Sequence, residues 1–258
     1  MSLVPRRVFG VLLLIIGMLT AASLIVHSIR LTTGHDFQHG LMPLFDLNGE
    51  RNIASWFSSF FMLAAATLLC CIGIAGRAKH DRFARHWLVM AAVFLGLAID
   101  EVAAAHELLT RPLREGLHVA SIFHYAWIIP GSVFALTFLL MNVTFLRHLP
   151  ARTRTLFVLS GALFVGSAVG MEMLEGYYDV VYGHGGWGYV LLSTIEEVGE
   201  MVAMALFINV LMDYMAHYVP EVRLRVSAMK PRALHVVPEW QPRRAAATGQ
   251  SGSTPVTG

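Results

Sequence analysis

Acidic side chains occur in this sequence where the chain is otherwise most apolar. Eight carboxylates lie inside or at the ends of stretches apolar enough to cross a membrane: Asp100, Glu101, Glu107, Glu172, Glu175, Glu196, Glu197 and Glu200. An acidic residue at a bilayer centre costs roughly 2.5 to 3.5 kcal/mol, so eight isolated charges oppose insertion by on the order of 20 kcal/mol. This exceeds the roughly 5 to 15 kcal/mol of net stability of a typical folded protein. Metal ions, shared protons, water or a position near the interface must therefore compensate these charges.

Two histidines, His106 and His124, accompany the acids. Carboxylates and imidazoles from several helices form the metal centres of di-iron and di-manganese bundles, which use Glu-x-x-His pairs. This chain lacks such a pair among these groups. A mixed oxygen and nitrogen set without a nearby thiolate favours hard or borderline divalent cations. We therefore predict a divalent metal site, with iron or manganese as the first candidates and with ligands drawn from Asp100, Glu101, His106, Glu107, His124, Glu172, Glu175, Glu196, Glu197 and Glu200.

The elements that must position these groups are membrane-spanning helices. The chain is 56% hydrophobic and 14% charged, with a mean hydropathy of +0.60, which lies outside the usual range of soluble domains. A bilayer core of about 30 Å needs about 20 apolar residues per helix. Six stretches satisfy this, at 8–27, 54–76, 87–106, 121–146, 155–176 and 190–215. The sequence predicts an all-α integral membrane protein with six transmembrane helices.

Basic residues predict the orientation of these helices. With both termini cytoplasmic, 15 of the 19 Lys and Arg residues lie inside and only Arg30, Arg51, Arg111 and Arg114 lie outside. An excess of basic residues in cytoplasmic loops is the usual orientation signal. We predict a bacterial-type inner-membrane protein with a six-helix domain at 1–218. The segment 219–258 is rich in Pro, Arg, Gly and Ser, and it is predicted to be a disordered basic cytoplasmic tail.

This topology places the acids at one level. They fall toward the outer ends of the third, fifth and sixth predicted helices, and His124 falls near the outer end of the fourth. We therefore predict a polar site that faces the outer side and lies within the bundle of the third to sixth helices. Helical phase puts Glu172 and Glu175 on one stripe. In the third helix, phase allows either Asp100 with Glu107 or Glu101 with His106 to face the site, and the sequence leaves that choice open.

Several functions are compatible with such a site. The inner halves of the helices hold few polar groups, which favours a site open only to the outer side or to lipid. The first hypothesis is a metal-dependent membrane oxidoreductase acting on a lipid or quinone-like substrate. The alternatives are a proton-coupled or divalent-cation transporter and a non-catalytic accessory protein whose acids pack as neutral, hydrogen-bonded groups. A haem held by His106 and His124 is a further alternative, no nucleic-acid motif is present, and the oligomeric state stays open.

Overall fold

Only helices and their connections occur in the part of the chain that the structure describes, which is residues 4–34, 40–119 and 121–219 of a computed structural model. The prediction of an all-helical protein is confirmed. Nine α-helices are present in these residues: α1 Pro5–Thr33, α2 Leu41–Phe45, α3 Ile53–Ala78, α4 Ala84–Ala103, α5 Glu107–Leu117, α6 Ile128–His148, α7 Ala151–Val165, α8 Glu172–Tyr182 and α9 Trp187–Tyr218. The predicted disordered tail lies, from residue 220 onward, outside the described residues.

Irregular helical segments also occur in the described part of the chain. A short 3₁₀ turn, Ser121–Phe123, lies between α5 and α6. A π-helical segment, Gly166–Met171, joins α7 directly to α8. π-Helical turns inside α-helices are rare and occur often at functional sites. Here the segment lies immediately before the acidic residues of α8.

Five helices in the described part of the chain are long and apolar enough to cross a membrane. They are α1, α3, α4, α6 and the continuous helix Ala151–Tyr182. These helices are compatible with a multi-pass membrane protein. The sixth predicted span corresponds to α9, which is 32 residues long but is not among these five. The count of six spans stays a prediction.

The hydrophobic core surrounds α9, which packs against α1, α3 and α7. The most extensive helix contact joins α3 to α4. Aromatic rings fill the interior, with Trp87 4.9 Å from Phe145 and Phe157 4.7 Å from Phe207 between ring centroids. Trp87 and Phe145 are almost fully buried.

Polar contacts define the two ends of the bundle. At one end, which we call the acid end, the Arg30 guanidinium donates to the Gly185 carbonyl at 3.0 Å, and the Tyr125 and Tyr189 hydroxyls are 3.1 Å apart. At the opposite end the Lys79 ammonium donates to the Tyr218 carbonyl at 3.3 Å. The aromatic core lies toward this opposite end, where buried polar side chains such as Asn142 and Ser160 also occur.

Two predicted helix boundaries were wrong at the acid end. The third predicted helix was drawn to residue 106, whereas α4 ends at Ala103. The fourth was drawn from residue 121, whereas α6 begins at Ile128. Hydropathy could not predict these helix ends. Most residues just beyond them are apolar or aromatic, although their backbone is not α-helical.

Gly73 allows the close approach of α3 and α4. A Cβ atom at this position would lie 2.7 Å from the Leu88 side chain and 3.2 Å from the Leu88 backbone nitrogen. We expect Gly73→Ala to lower the free energy of unfolding by about 1 to 3 kcal/mol, the usual cost of overpacking. Thermal unfolding of detergent-purified protein measures this change.

Gly96→Ala is the matched control, because a Cβ atom at Gly96 in α4 would meet nothing within 4 Å. There alanine should stabilise the helix by about 0.5 to 1 kcal/mol through its better helix propensity. Equal stability of the two variants would contradict the close helix contact.

Candidate functional site

The chain turns sharply at the end of α4 and brings His106 back over Asp100. Ala104 adopts a left-handed conformation with φ 55°, and its N–H donates to the Asp100 carbonyl. The His106 backbone N–H then donates to Asp100 Oδ1 at 3.0 Å, and His106 Nδ1 lies 2.8 Å from Asp100 Oδ2. Because the helix has ended, helical phase does not apply to His106. Asp100, Glu101 and His106 can therefore all contribute to one site.

The Asp100 contact fixes the orientation of the imidazole ring. With Nδ1 held by a carboxylate, the other ring nitrogen of His106 is directed toward Glu50, whose Oε1 is 3.7 Å from Nε2. A carboxylate bonded to one nitrogen of a histidine whose other nitrogen binds metal is a recurring arrangement in metalloproteins. Asp100 is thus a positioning residue that orients the His106 ring.

Glu50 approaches His106 from the loop before α3. Hydrogen bonds on both sides of Glu50 hold this loop in place. Asn52 caps α3 by accepting from the Ala54 and Ser55 backbone N–H groups. Asp46 accepts from the buried His27 of α1 at 3.0 Å. These bonds fix both sides of Glu50, whose Oε2 is buried and has no hydrogen-bond partner in the described part of the chain.

Trp127 forms the other wall around His106. Its ring centroid is 4.8 Å from that of His106, and its indole N–H donates to Glu172 Oε1 at 2.7 Å. Gly131, one turn into α6, lets the indole pack closely, because a Cβ atom there would lie 2.7 Å from the Trp127 ring. Pro130 lies in the first turn of α6, where proline is compatible with a helix.

The acids of α8 and α9 meet beside this group. Glu175 is 2% exposed, interacts with Glu196 and with the Tyr189 side chain, and has an Oε1 without a hydrogen-bond partner among the described residues. Glu197 and Glu200 are half-buried and interact electrostatically with Glu101 and with each other.

Two of the ten predicted site residues are less closely joined to this cluster. Glu107 is exposed at the start of α5, although its charge acts on Glu50 and Glu172. His124 was predicted near the outer end of a helix but lies in the non-helical segment before α6. It contacts the Arg114 guanidinium at 3.1 Å and Asp179 at 3.6 Å. His184 approaches the other oxygen of Asp179 at 3.5 Å, which makes a separate surface group.

The other predicted residues are brought together into what we call the acid cluster: Asp100, Glu101, His106, Glu172, Glu175, Glu196, Glu197 and Glu200, with Glu50 added. Within the described ranges, however, no group of three or more His, Cys, Asp or Glu side chains has the arrangement of a formed metal site. The adjacent Cys70 and Cys71 are unpaired residues of α3.

Sequence reasoning missed three contributors to this site. Glu50 lies outside every apolar stretch, so a search for acids in spans excludes it. Trp127 and Tyr189 are aromatic residues near helix ends, where a sequence suggests only an interfacial belt. The sequence feature that could have identified Glu50 is its position between the Asn48-Gly49 turn and the start of α3.

Electrostatic surroundings set the charge of His106. Burial alone would lower its pKa, but the hydrogen bond and charge of Asp100 outweigh burial and raise the pKa to about 8. Burial and the Glu107 charge raise the pKa of Glu50. Burial and Arg114 lower the pKa of His124. His106 is thus the cationic member of the cluster at neutral pH.

The raised pKa of His106 predicts a pH-dependent stability. The group stabilises the fold fully below its unfolded pKa of about 6.5, and this contribution of up to about 2 kcal/mol is lost as pH rises through about 8. We expect the melting temperature of metal-free protein to fall over this range more steeply than that of His106→Gln. Parallel curves for the two proteins would contradict the Asp100–His106 pair.

The helices and the acid cluster define a class, namely all-helical proteins with several candidate membrane-spanning helices and a carboxylate and histidine group at one end of the bundle. The chain belongs to the family described as Domain of unknown function (DUF8692), which matches residues 8–215. This match includes the whole acid cluster. Neither the curated proteins nor the solved structures yield a match.

Proposed function

We propose that this protein binds a divalent metal between His106, Glu50, Glu101 and Glu172 and acts as an oxidoreductase on a lipid or quinone-like substrate. The orientation of His106 carries the proposal. Its Nδ1 is held by Asp100 at 2.8 Å, which leaves Nε2 directed toward uncompensated carboxylates. Iron and manganese suit this oxygen and nitrogen ligand set.

Distances at His106 are compatible with a shared ion. His106 Nε2 and Glu50 Oε1 are 3.7 Å apart. Divalent ions such as zinc bind nitrogen and oxygen ligands at about 2.0 to 2.2 Å, so one ion placed between these two atoms can bond both. Rotation of Glu101 and Glu172 toward that ion completes the ligand set. Such rotation reconciles the proposal with the lack of a formed three-ligand group in the described ranges.

Charge balance supports a cation at this place. The main charges acting on Glu197 and Glu200 come from other carboxylates, including Glu101 and Glu175. His106 is the principal cationic group acting on Glu101. Buried charges are compensated by opposite charges or metal ions, and a divalent metal supplies two positive charges at the point where the carboxylates converge.

The confinement of the buried carboxylates to the acid end, within the described residues, favours an enzyme over a transporter. The half of the bundle beyond the acid cluster is occupied largely by buried apolar side chains such as Leu69, Trp87, Phe145 and Leu211. A transported ion needs polar groups on both sides of its site. A substrate dissolved in the membrane needs access from one side only. With both termini in the cytoplasm of a bacterial-type cell, this side faces outward from the inner membrane.

Elemental analysis of detergent-purified protein tests the metal. We expect one to two equivalents of iron or manganese per chain in the native protein and a large loss in the Glu172→Gln/Glu200→Gln variant. Glu115→Gln is the control, because Glu115 is exposed on α5 and, among the described residues, its ion-pair partner is Arg111 at 2.9 Å. Metal-free native protein that also fails to take up added iron or manganese would refute the proposal.

A second candidate, a proton-coupled transporter, is favoured by one observation. The hydroxyls of Tyr125 and Tyr189 are 3.1 Å apart, Tyr189 interacts with Glu175, and Glu175 interacts with Glu196. This chain of polar groups runs from a half-buried tyrosine to a pair of neighbouring carboxyl groups. Small side-chain movements that connect these groups by hydrogen bonds would let the chain transfer protons. Asp179 and the exposed His184 lie near its outer end.

Infrared detection of protonated carboxyl groups after a pH jump tests this chain. Tyr189→Phe should slow carboxyl deprotonation severalfold, whereas Tyr182→Phe, at a 70% exposed tyrosine, should not. His184→Ala should also slow it, with recovery on adding imidazole to the buffer. Proton movement into liposomes that carry metal-free protein would favour the transporter over the enzyme. Equal rates in Tyr189→Phe and native protein would remove the support for this candidate.

A further inference from the structure

The helix between α4 and α6 has two fully segregated faces. At 100° per residue, one half of α5 carries Leu108, Leu109, Pro112, Leu113, Gly116 and Leu117. The other half carries Glu107, Thr110, Arg111, Arg114 and Glu115. Leu108 is 73% exposed and Leu117 is 52% exposed, and no residue of α5 is buried. The apolar half is therefore left uncovered by the described part of the chain.

The flanking helices determine where α5 lies. Both α4 and α6 are long and apolar enough to span a membrane, so the segment between them begins and ends at one membrane surface. It starts at Ala104 and passes His118, two residues with φ near 55° that let α5 diverge from both helix axes. The helix makes no extensive packing contact with another described element.

We propose that α5 lies in the surface of the lipid leaflet at the acid end, with its leucine face among the acyl chains and its arginine face toward water. Interfacial helices of this kind bury their apolar face roughly 5 to 10 Å into the boundary between headgroups and chains. Arg111 pairs with Glu115 at 2.9 Å, and Arg114 reaches His124 at 3.1 Å, so the polar face has partners on the aqueous side. The face bears two acids and two arginines, so docking does not depend on anionic lipid.

This placement has a consequence for access to the cluster. Glu107, the first residue of α5, directly follows His106. A molecule dissolved in this leaflet therefore meets the beginning of α5 beside the imidazole. The inference stands on topology and exposure, so it is independent of whether a metal binds.

Nitroxide labels at single cysteines test the placement. The native cysteines are first removed as Cys70→Ala/Cys71→Ala, and labels are then attached after Leu109→Cys, Leu113→Cys, Leu117→Cys, Arg111→Cys or Glu115→Cys. The proteins are reconstituted in phosphatidylcholine vesicles with and without phosphatidylglycerol. We expect severalfold higher collision rates with oxygen at the three leucine positions and severalfold higher rates with a water-soluble nickel complex at the two polar positions, in both lipid mixtures.

Three outcomes would overturn the proposal. Equal access of the nickel complex to all five positions would place α5 in water. Exclusion of both reagents from the leucine positions would place the leucine face against protein, either a partner or a second copy. A pattern seen only with phosphatidylglycerol would show an electrostatic contact instead of an apolar one. Positions Arg111 and Glu115 are exposed, so labels there report on a folded chain in every case.

Discussion

His106→Ala is expected to abolish tight binding of iron or manganese, with a loss of affinity above about 100-fold, because the alanine variant removes the imidazole nitrogen that faces the carboxylates. Asp100→Asn should cost about 10 to 100-fold, since the imidazole stays but loses the carboxylate that holds Nδ1 at 2.8 Å. Titration of metal-free protein in detergent measures both affinities.

His184→Ala is the matched control for this prediction. His184 lies at the same end of the bundle, contacts Asp179 at 3.5 Å and has a side chain that is 60% exposed. The alanine variant should keep the native affinity. Full affinity in His106→Ala, or an equal loss in His184→Ala, would show that the metal binds elsewhere.

Neutralising two acids of α9 is expected to have opposite effects on the metal-free and metal-loaded protein. Glu197 and Glu200 act on each other and on Glu101, so the metal-free fold either holds like charges close together or takes up protons, and both cost stability. Glu197→Gln/Glu200→Gln should therefore raise the free energy of unfolding of metal-free protein by about 1 to 3 kcal/mol. In a chain of this size that corresponds to a rise in melting temperature of about 2 to 4 °C per kcal/mol.

With metal added, the native protein should become more stable than the Glu197→Gln/Glu200→Gln variant. Binding stabilises the native protein by mass action, by about 2.7 kcal/mol when the free metal is 100-fold above its dissociation constant. The double variant keeps the proposed ligands but lacks two neighbouring carboxylates whose charge attracts the cation, so we expect it to bind more weakly and to gain less. Differential scanning calorimetry with and without manganese measures both states, with Glu115→Gln as the control. A metal-free double variant less stable than the native protein would mean that these carboxylates contribute favourable hydrogen bonds instead of repulsion.

Hydropathy predicted which stretches form helices, but it did not predict where those helices end. Every predicted apolar stretch contains a helix, because about 20 apolar residues bury well only as a helix in lipid. The stop at Ala104 carries no sequence signal, since a left-handed residue after a helix is usually glycine or asparagine. Without that stop, helical phase separates His106 from Asp100. Helical periodicity therefore could not predict the contact between Asp100 and His106.

Convergence of the acids could be predicted, but their pairing could not. Alternating helix directions bring Glu101, Glu172 and Glu200 to one end of the bundle whatever the details of packing. Which acid meets which depends on the rotation of each helix, and the π-helical segment before Glu172 changes that rotation locally. Glu50 joins the cluster through contacts of its loop with α1, which only the folded chain provides.

Anomalous X-ray scattering from crystals of manganese- or iron-loaded protein tests the central claim most directly. The account predicts a peak within bonding distance of His106 Nε2 and of carboxylate oxygens from Glu50, Glu101 or Glu172, and its absence in crystals of His106→Ala. A well-ordered acid cluster without a peak in crystals that contain the metal, or a peak bound only by His124 and His184, would contradict it.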